Sequence, residues 1–189
     1  MSKTTIPTGG ITDGTIASGD LADDAVTAAK IADAVTLGKV LQTQSTESNG
    51  RTTISSGSFT SISGLEDTIT PSASTSKILV LVNAQFAADS NNADVTRVGA
   101  KFKIFRNHSG ISETEIFSTQ YQHNRPENSG MDMIFQGTLT FMYLDSPNTT
   151  NEVTYTTKGE NDPSTSGLEV IEGSSNEYDK TITLIEIGA

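Results

Sequence analysis

Met131-Asp-Met-Ile-Phe-Gln-Gly-Thr-Leu-Thr-Phe-Met-Tyr143 places an apolar residue or glycine at every second position over thirteen residues. Successive side chains of a β-strand point to opposite faces, so a period of two is typical of a strand with one buried face. An α-helix would instead repeat its apolar residues at steps of three and four. This stretch therefore predicts a long strand that packs on a core.

Further stretches carry the same signal or a dense apolar run, namely residues 77–82, 98–104, 153–155 and 181–187. The run Lys77-Ile-Leu-Val-Leu-Val82 is typical of a strand in the core. Segments rich in Pro, Gly, Asn and Ser separate these stretches and indicate turns. We predict about eight or nine strands, and hence an all-β fold in which residues 51–189 form an antiparallel, jelly-roll-like β-sandwich.

Residues 1–42 follow a different pattern, with no aromatic residue and one large apolar residue at every fifth position. These apolar residues are Ile6, Ile11, Ile16, Leu21, Val26 and Ile31. Steps of five spread apolar groups around a helix and alternate them between the faces of a strand, so they cannot form a core of their own. We predict an extended, repeat-like attachment arm whose apolar residues line a trimer seam or dock on a partner, followed by a linker over residues 43–50.

Two other interpretations of the arm remain open at the level of sequence. Its polar composition is also typical of a disordered linker. A short helix over residues 21–37 is the other, since Asp20 is a suitable N-cap, alanine is abundant and Gly38 is a suitable end.

Residues that carry chemistry are sparse. The chain has no Cys and two His, His108 and His123, which fall in polar segments, so a zinc site is not expected. Neither a phosphate-binding glycine loop nor a Gly-x-Ser-x-Gly nucleophile motif occurs. The Asp89–Asp94 segment offers oxygen ligands without the spacing of a calcium loop, so an ordinary turn is favoured and calcium binding stays open. We expect no enzyme activity and no cofactor.

The net charge of −11 limits the classes of partner. An acidic chain is repelled by nucleic acid phosphates and by anionic membranes. No apolar run approaches the roughly 20 residues of a membrane-spanning helix, and residues 1–5 lack the apolar core of a signal peptide. We expect synthesis in the cytoplasm, no nucleic-acid partner and no membrane insertion.

Two regions of the sequence resemble one class of protein. The arm, Gly10 to Val35, resembles N-terminal segments of tail fibre and related virion proteins of marine and cyanobacterial tailed phages. The second region is similar to the C-terminal jelly-roll domain of those proteins through residues 76–82, 102–107, 143–150 and 153–156. This resemblance implies a homotrimeric virion appendage that the arm holds to other virion proteins.

Two functional hypotheses follow. In the first, the chain is a tail fibre or short fibre whose loops bind a host surface glycan or protein; these loops are residues 89–94, 107–112, 122–130, 145–151 and 158–166. Tyr121, Asn124 and Arg125 form a candidate contact, because aromatic rings and planar donors suit sugar faces, although an ordinary loop end explains them more simply. In the second hypothesis, the chain is a capsid decoration protein or head fibre that stabilises the capsid.

Overall fold

The computed structural model describes residues 19, 21–22, 40–55, 57–90, 97–124, 133–161, 167–170 and 179–188. Their strands all belong to the unit Gly38–Ala189. The strands are β1 (Val40–Ser48), β2 (Thr52–Ile54), β3 (Thr60–Ile69), β4 (Lys77–Ser90), β5 (Arg97–His108), β6 (Ile111–Asn124), β7 (Met133–Asp145), β8 (Val153–Asn161), β9 (Gly167–Val170) and β10 (Lys180–Ile187).

The strands form two antiparallel sheets. Sheet A has the order β1-β10-β4, with β7 on the other edge of β4, and sheet B has the order β3-β8-β5-β6. Strand β4 pairs with β10 along residues 77–83 and with the short strand β9 along residues 86–89. If β2 and β9 are set aside, the eight long strands make the two four-stranded sheets of a jelly roll. The predicted all-β antiparallel sandwich is therefore confirmed.

The core lies between the two sheets and is built from the inward-facing positions of every long strand except β1. Leu139 and Phe141 on β7 are buried, which confirms the period-two pattern there. At the centre, the ring of Phe86 lies 5.3 Å from that of Phe102 and 5.7 Å from that of Phe135. Gly137 completes the pattern on β7 because a Cβ at this position would lie 3.0 Å from the Phe86 ring. Glycine there makes room for the aromatic cluster.

Gly64 fixes the approach of β3 to β1. Its φ is +80°, and a Cβ on it would lie 2.3 Å from the Cβ of Ser48, so only glycine fits. Next to this contact lies Lys180, whose fully buried ammonium group donates a hydrogen bond to the carbonyl oxygen of Gly50. Burial lowers the pKa of Lys180 from its usual value, because it disfavours the charged form.

Residues 43–50, which the sequence predicts as a linker, mostly belong to strand β1. This strand pairs with β10 from Val40 to Ser48. It lies at the edge of sheet A, and most of its side chains are exposed. Because it buries no face in the core, its sequence lacks the alternation of apolar and polar residues by which a strand is predicted. The boundary of the arm at residue 42 likewise falls inside β1.

Glu186 joins three elements of the sandwich. Its fully buried carboxylate accepts hydrogen bonds from Nε2 of Gln42 on β1 (2.6 Å) and from the backbone N–H of Ser72 (2.7 Å) and its hydroxyl (3.0 Å). Burial alone would raise the pKa of Glu186, but the side chains of Ser76 and Gln42, together with Ser72, stabilise the charged form more, and the net direction is downward. Glu186 thus fastens the connection between β3 and β4 to β1 and β10.

The lowered pKa of Glu186 predicts acid sensitivity. A carboxyl group whose pKa is lower in the folded state contributes stability above its unfolded value, near 4.5, and this contribution is lost as the pH falls through the folded pKa. We expect Glu186→Gln to melt at a lower temperature than the unmodified chain at neutral pH. Its melting temperature should then fall less between about pH 6 and about pH 3. Thermal melts followed by circular dichroism measure both effects.

The control for this series is Glu47→Gln on the exposed side of β1. This variant should follow the unmodified chain at every pH. Equal slopes for Glu186→Gln and the unmodified chain would contradict the assigned role of Glu186.

Candidate interaction surface

The outer face of sheet A, which points away from the core, carries apolar side chains on neighbouring strands. Leu79 on β4 lies opposite Leu144 on β7 and opposite Ile185 on β10. Two residues further along β4, Leu81 lies opposite Met142. Residues directly opposite each other share a face and lie about 5 Å apart, so these side chains adjoin.

We call the apolar part of this face the outer patch. It comprises Val40, Leu79, Leu81, Met142, Leu144, Ile185 and Ile187. Met142 is 68% exposed, Val40 63% and Leu144 46%. The patch crosses four strands and three successive rows, which corresponds to roughly 14 Å in each direction. Because these apolar side chains are exposed side by side and not singly, this face is a candidate interaction surface.

Polar residues border the outer patch on one side. Thr140 donates a hydrogen bond to Asn83 (3.1 Å), and both line a depression of about 320 Å³ together with Leu81, Met142 and Thr181. Within the three rows of the patch, the strands place one charged residue, Lys77, on the outer face. The patch is therefore close to neutral in a chain whose net charge is −11.

The outer face of sheet B has the opposite character. Charged side chains on β5, β6 and β8 form ion pairs across the strands. They join Lys101 to Glu160 (3.0 Å), Lys103 to Glu115 (2.6 Å) and Lys158 to Glu113 (2.7 Å). Charged pairs of this kind are typical of a solvated face, and here the ammonium groups of Lys103 and Lys158 also cover the rings of Phe59 and Phe105. The two outer faces of the sandwich thus differ, and the apolar one belongs to sheet A.

The strand predicted from Lys77–Val82 is buried on one face only. Ile78, Val80 and Val82 are buried in the core, whereas Leu79 and Leu81 face outward and are partly exposed. The dense apolar run is typical of a strand covered on both sides. Within the single chain, the second side of this strand stays uncovered at Leu79 and Leu81.

A buried polar network holds the end of β7 beside the patch. Asp145 accepts hydrogen bonds from Nη1 of Arg106 at 2.9 Å to each carboxylate oxygen, and from the hydroxyl of Tyr155 at 2.8 Å. Burial, and next the negative charge of Asp145, raise the pKa of Tyr155 above its ordinary value. The network explains why the Leu144-Asp-Ser-Pro147 segment carries an acid at its second position.

Two of the five predicted receptor loops lie side by side at one end of the sandwich. Asn107 to Ile111, at the turn between β5 and β6, and Asn151 with Glu152, ahead of β8, line an open polar depression of about 610 Å³. His108, expected in an exposed loop, instead ends β5 and is half-buried. Its ring nitrogens have no hydrogen-bond partner within the described part of the chain. Amide and carboxylate groups around such a depression suit hydrogen bonds to hydroxyl groups.

The predicted contact at Tyr121, Asn124 and Arg125 is not assembled by the described residues. Tyr121 lies on β6, and its ring packs 5.1 Å from Phe86 and 6.0 Å from Phe102, as part of the aromatic cluster. This differs from the expected position in a loop, because Tyr121 falls on the inward parity of β6. Asn124 ends β6, but its side chain and all of Arg125 lie outside the described residues.

The arm residues lie almost entirely outside the description. Leu21 is described and is 47% exposed. The other five, Ile6, Ile11, Ile16, Val26 and Ile31, and most of the alternative helix over residues 21–37, lie outside the described residues. The trimer seam therefore stays a prediction.

The described ranges contain no group of three or more His, Cys, Asp or Glu that could hold a metal ion. No helix in the same ranges is long and apolar enough to cross a membrane.

Comparisons with known proteins give loose likenesses of structure alone. No protein-family model matches the chain, and no curated protein sequence matches it. Among solved structures, a chain from the structure of infectious bursal disease virus Gx strain matches with 12% identity and a TM-score of 0.28. The match covers 79% of this chain and 38% of that chain. At this TM-score the likeness establishes neither fold nor function, and the jelly roll rests on the strand pairing described above.

Proposed function

We propose that this chain is a structural protein of a phage particle, a tail fibre or short fibre in which the arm of residues 1–42 attaches the sandwich to other virion proteins. The observation that carries the proposal is the outer patch, because a small sandwich with one apolar face and one solvated face is built to assemble. The resemblance of the arm and of the sandwich segments to phage virion proteins supports it. In this role the chain is a homotrimer located in the virion.

The described residues give more support to assembly than to catalysis. The buried acidic residues Asp145 and Glu186 are each occupied by hydrogen bonds that hold the fold together. A catalytic site would need polar groups that converge on a cleft around a substrate. The polar depression at Asn107 and Glu152 fits a different task, contact with a host glycan through hydroxyl groups.

A second function, capsid decoration, draws support from the same outer patch. An exposed apolar surface on the sandwich suits a protein that clamps capsid subunits as well as it suits a fibre. Particles that lack the protein separate the two functions. Loss of adsorption with intact heads supports the fibre, whereas heads that leak on heating support decoration.

The anchoring role of the arm gives a direct test. We expect the double variant Ile16→Asp, Leu21→Asp to be missing from purified particles, because charged groups cannot occupy an apolar seam or groove. The sandwich of this variant should melt like that of the unmodified protein. Immunoblots of purified particles and a thermal melt of the purified chain measure the two properties.

Thr15→Asp, Ala22→Asp is the matched control. It adds the same charges one residue away from the five-residue repeat. The control should enter particles normally. Normal incorporation of the Ile16→Asp, Leu21→Asp variant would refute the assigned role of these two residues.

A further inference from the structure

We infer that the outer patch is the surface through which copies of this chain bind each other, so that its partner is a second copy of the chain. This deepens the proposed function, because it assigns the contact between subunits to β4, β7 and β10 of the sandwich. The predicted seam in the arm then has the separate task of attachment.

The burial pattern is the first argument. Leu79 and Leu81 extend an apolar run that is typical of strands covered on both faces, and the second cover is missing within the chain. Ile185 and Ile187 repeat this on β10, where they alternate with the buried residues Leu184 and Glu186. Two adjacent strands thus carry apolar groups toward the same uncovered side.

Charge selects the partner. Copies of a chain with a net charge of −11 repel each other through most surfaces, and the repulsion is smallest where two nearly neutral faces meet. Within the three rows of the patch, the outer face carries Lys77 and no acidic residue, so it has nothing to attract a basic protein. An anionic membrane surface would repel the rest of this acidic chain. A second copy satisfies both conditions.

The size of the face agrees with such a contact. Strand β4 has 14 residues, so the outer face of sheet A is roughly 46 Å long and, over four strands, roughly 19 Å wide. This area is close to the roughly 800 Å² that each partner buries in a stable protein interface. The outer patch forms the apolar part of that area, and the rows beyond it form a polar border that includes the acidic residues Glu47 and Asp89.

The test is the solution mass of the full chain, measured by sedimentation equilibrium over a range of concentrations. We expect an oligomer of the 19.9 kDa chain for the unmodified protein. Met142→Asp and Leu144→Asp should each weaken association by roughly 30-fold or more, because each buries a charge within the contact. Both side chains are exposed in the single chain, so the variants should fold, and thermal melts at a concentration where all chains are monomeric check this.

The matched control is Ile111→Asp, since Ile111 is 49% exposed at the start of β6 in the other sheet. It should associate like the unmodified chain. A monomeric unmodified chain would overturn the inference, and so would folded Met142→Asp and Leu144→Asp variants that associate normally. A dimer that both substitutions dissociate would support the patch as the contact and contradict only the predicted trimer. Attachment to the particle is measured separately, so the two proposals fail independently.

Discussion

A chain shortened to end at Ile182 is expected to lose cooperative folding. The deletion of residues 183–189 removes most of β10, which lies between β1 and β4 and pairs with both. It also removes the buried side chain of Leu184 and the carboxylate of Glu186. The remaining β1 would have no strand beside it, and the facing edge of β4 would expose unpaired backbone groups. We expect the loss to exceed the roughly 5–15 kcal/mol by which domains are usually stable.

Circular dichroism melts and the soluble yield measure this loss. A deletion of residues 188–189, which follow β10, is the control and should melt like the full chain. A soluble chain ending at Ile182 with a sharp thermal transition would show that β10 is dispensable.

The second large effect is expected from Asp145→Ala. Asp145 is 5% exposed and receives hydrogen bonds from Arg106 and Tyr155. Its removal leaves a mostly buried guanidinium group without its counter-charge and a buried hydroxyl without its acceptor. Loss of one partner of a buried pair costs about 3–5 kcal/mol. Urea unfolding at a concentration where all chains are monomeric measures this cost through the shift of the midpoint at constant slope.

The control for Asp145 is Glu115→Ala, which breaks an ion pair with Lys103 at the surface. An exposed pair contributes about 0–1 kcal/mol, so this variant should unfold close to the unmodified chain. The triple variant Arg106→Met, Asp145→Leu, Tyr155→Phe should recover much of the lost stability, because it leaves no charge buried alone. An Asp145→Ala variant within about 1 kcal/mol of the unmodified chain would contradict the importance of the network.

The sequence predicted the parts of the fold that are governed by burial on one face. The alternation around Leu139 and the run from Thr181 to Ile187 give β7 and β10 directly. Strands β1 and β2 were missed because they are short or lie at an edge, where polar side chains satisfy the strand as well as apolar ones do. The alternation of side chains along a strand shows which residues face inward only when the ends of the strand are known. The sequence does not show that β6 extends to Asn124, and it therefore predicts a loop at Tyr121.

The sequence contains a signal of the outer patch, but it does not show what covers the patch. The run at Lys77–Val82 contains apolar residues at both parities, which predicts cover on two faces but does not say what provides the second cover. The partner of Asp145 is also invisible in sequence, because Arg106 lies 39 residues away and only the pairing of the strands brings them together. Pairing across a sheet is set by the whole topology, and local patterns do not encode it.

The pairing of Val40 with Ile187 has a consequence for the arm. The chain enters the sandwich at Val40, which is itself a residue of the outer patch. A contact between two patches would therefore hold the starting points of two arms at one interface. Tethering of this kind gives the second arm a high effective concentration at any site that the first arm has reached, of the order of millimolar for short linkers. In the proposed attachment role, an arm with one apolar residue in five would then hold the protein on a particle through several weak contacts, none of which would be sufficient alone.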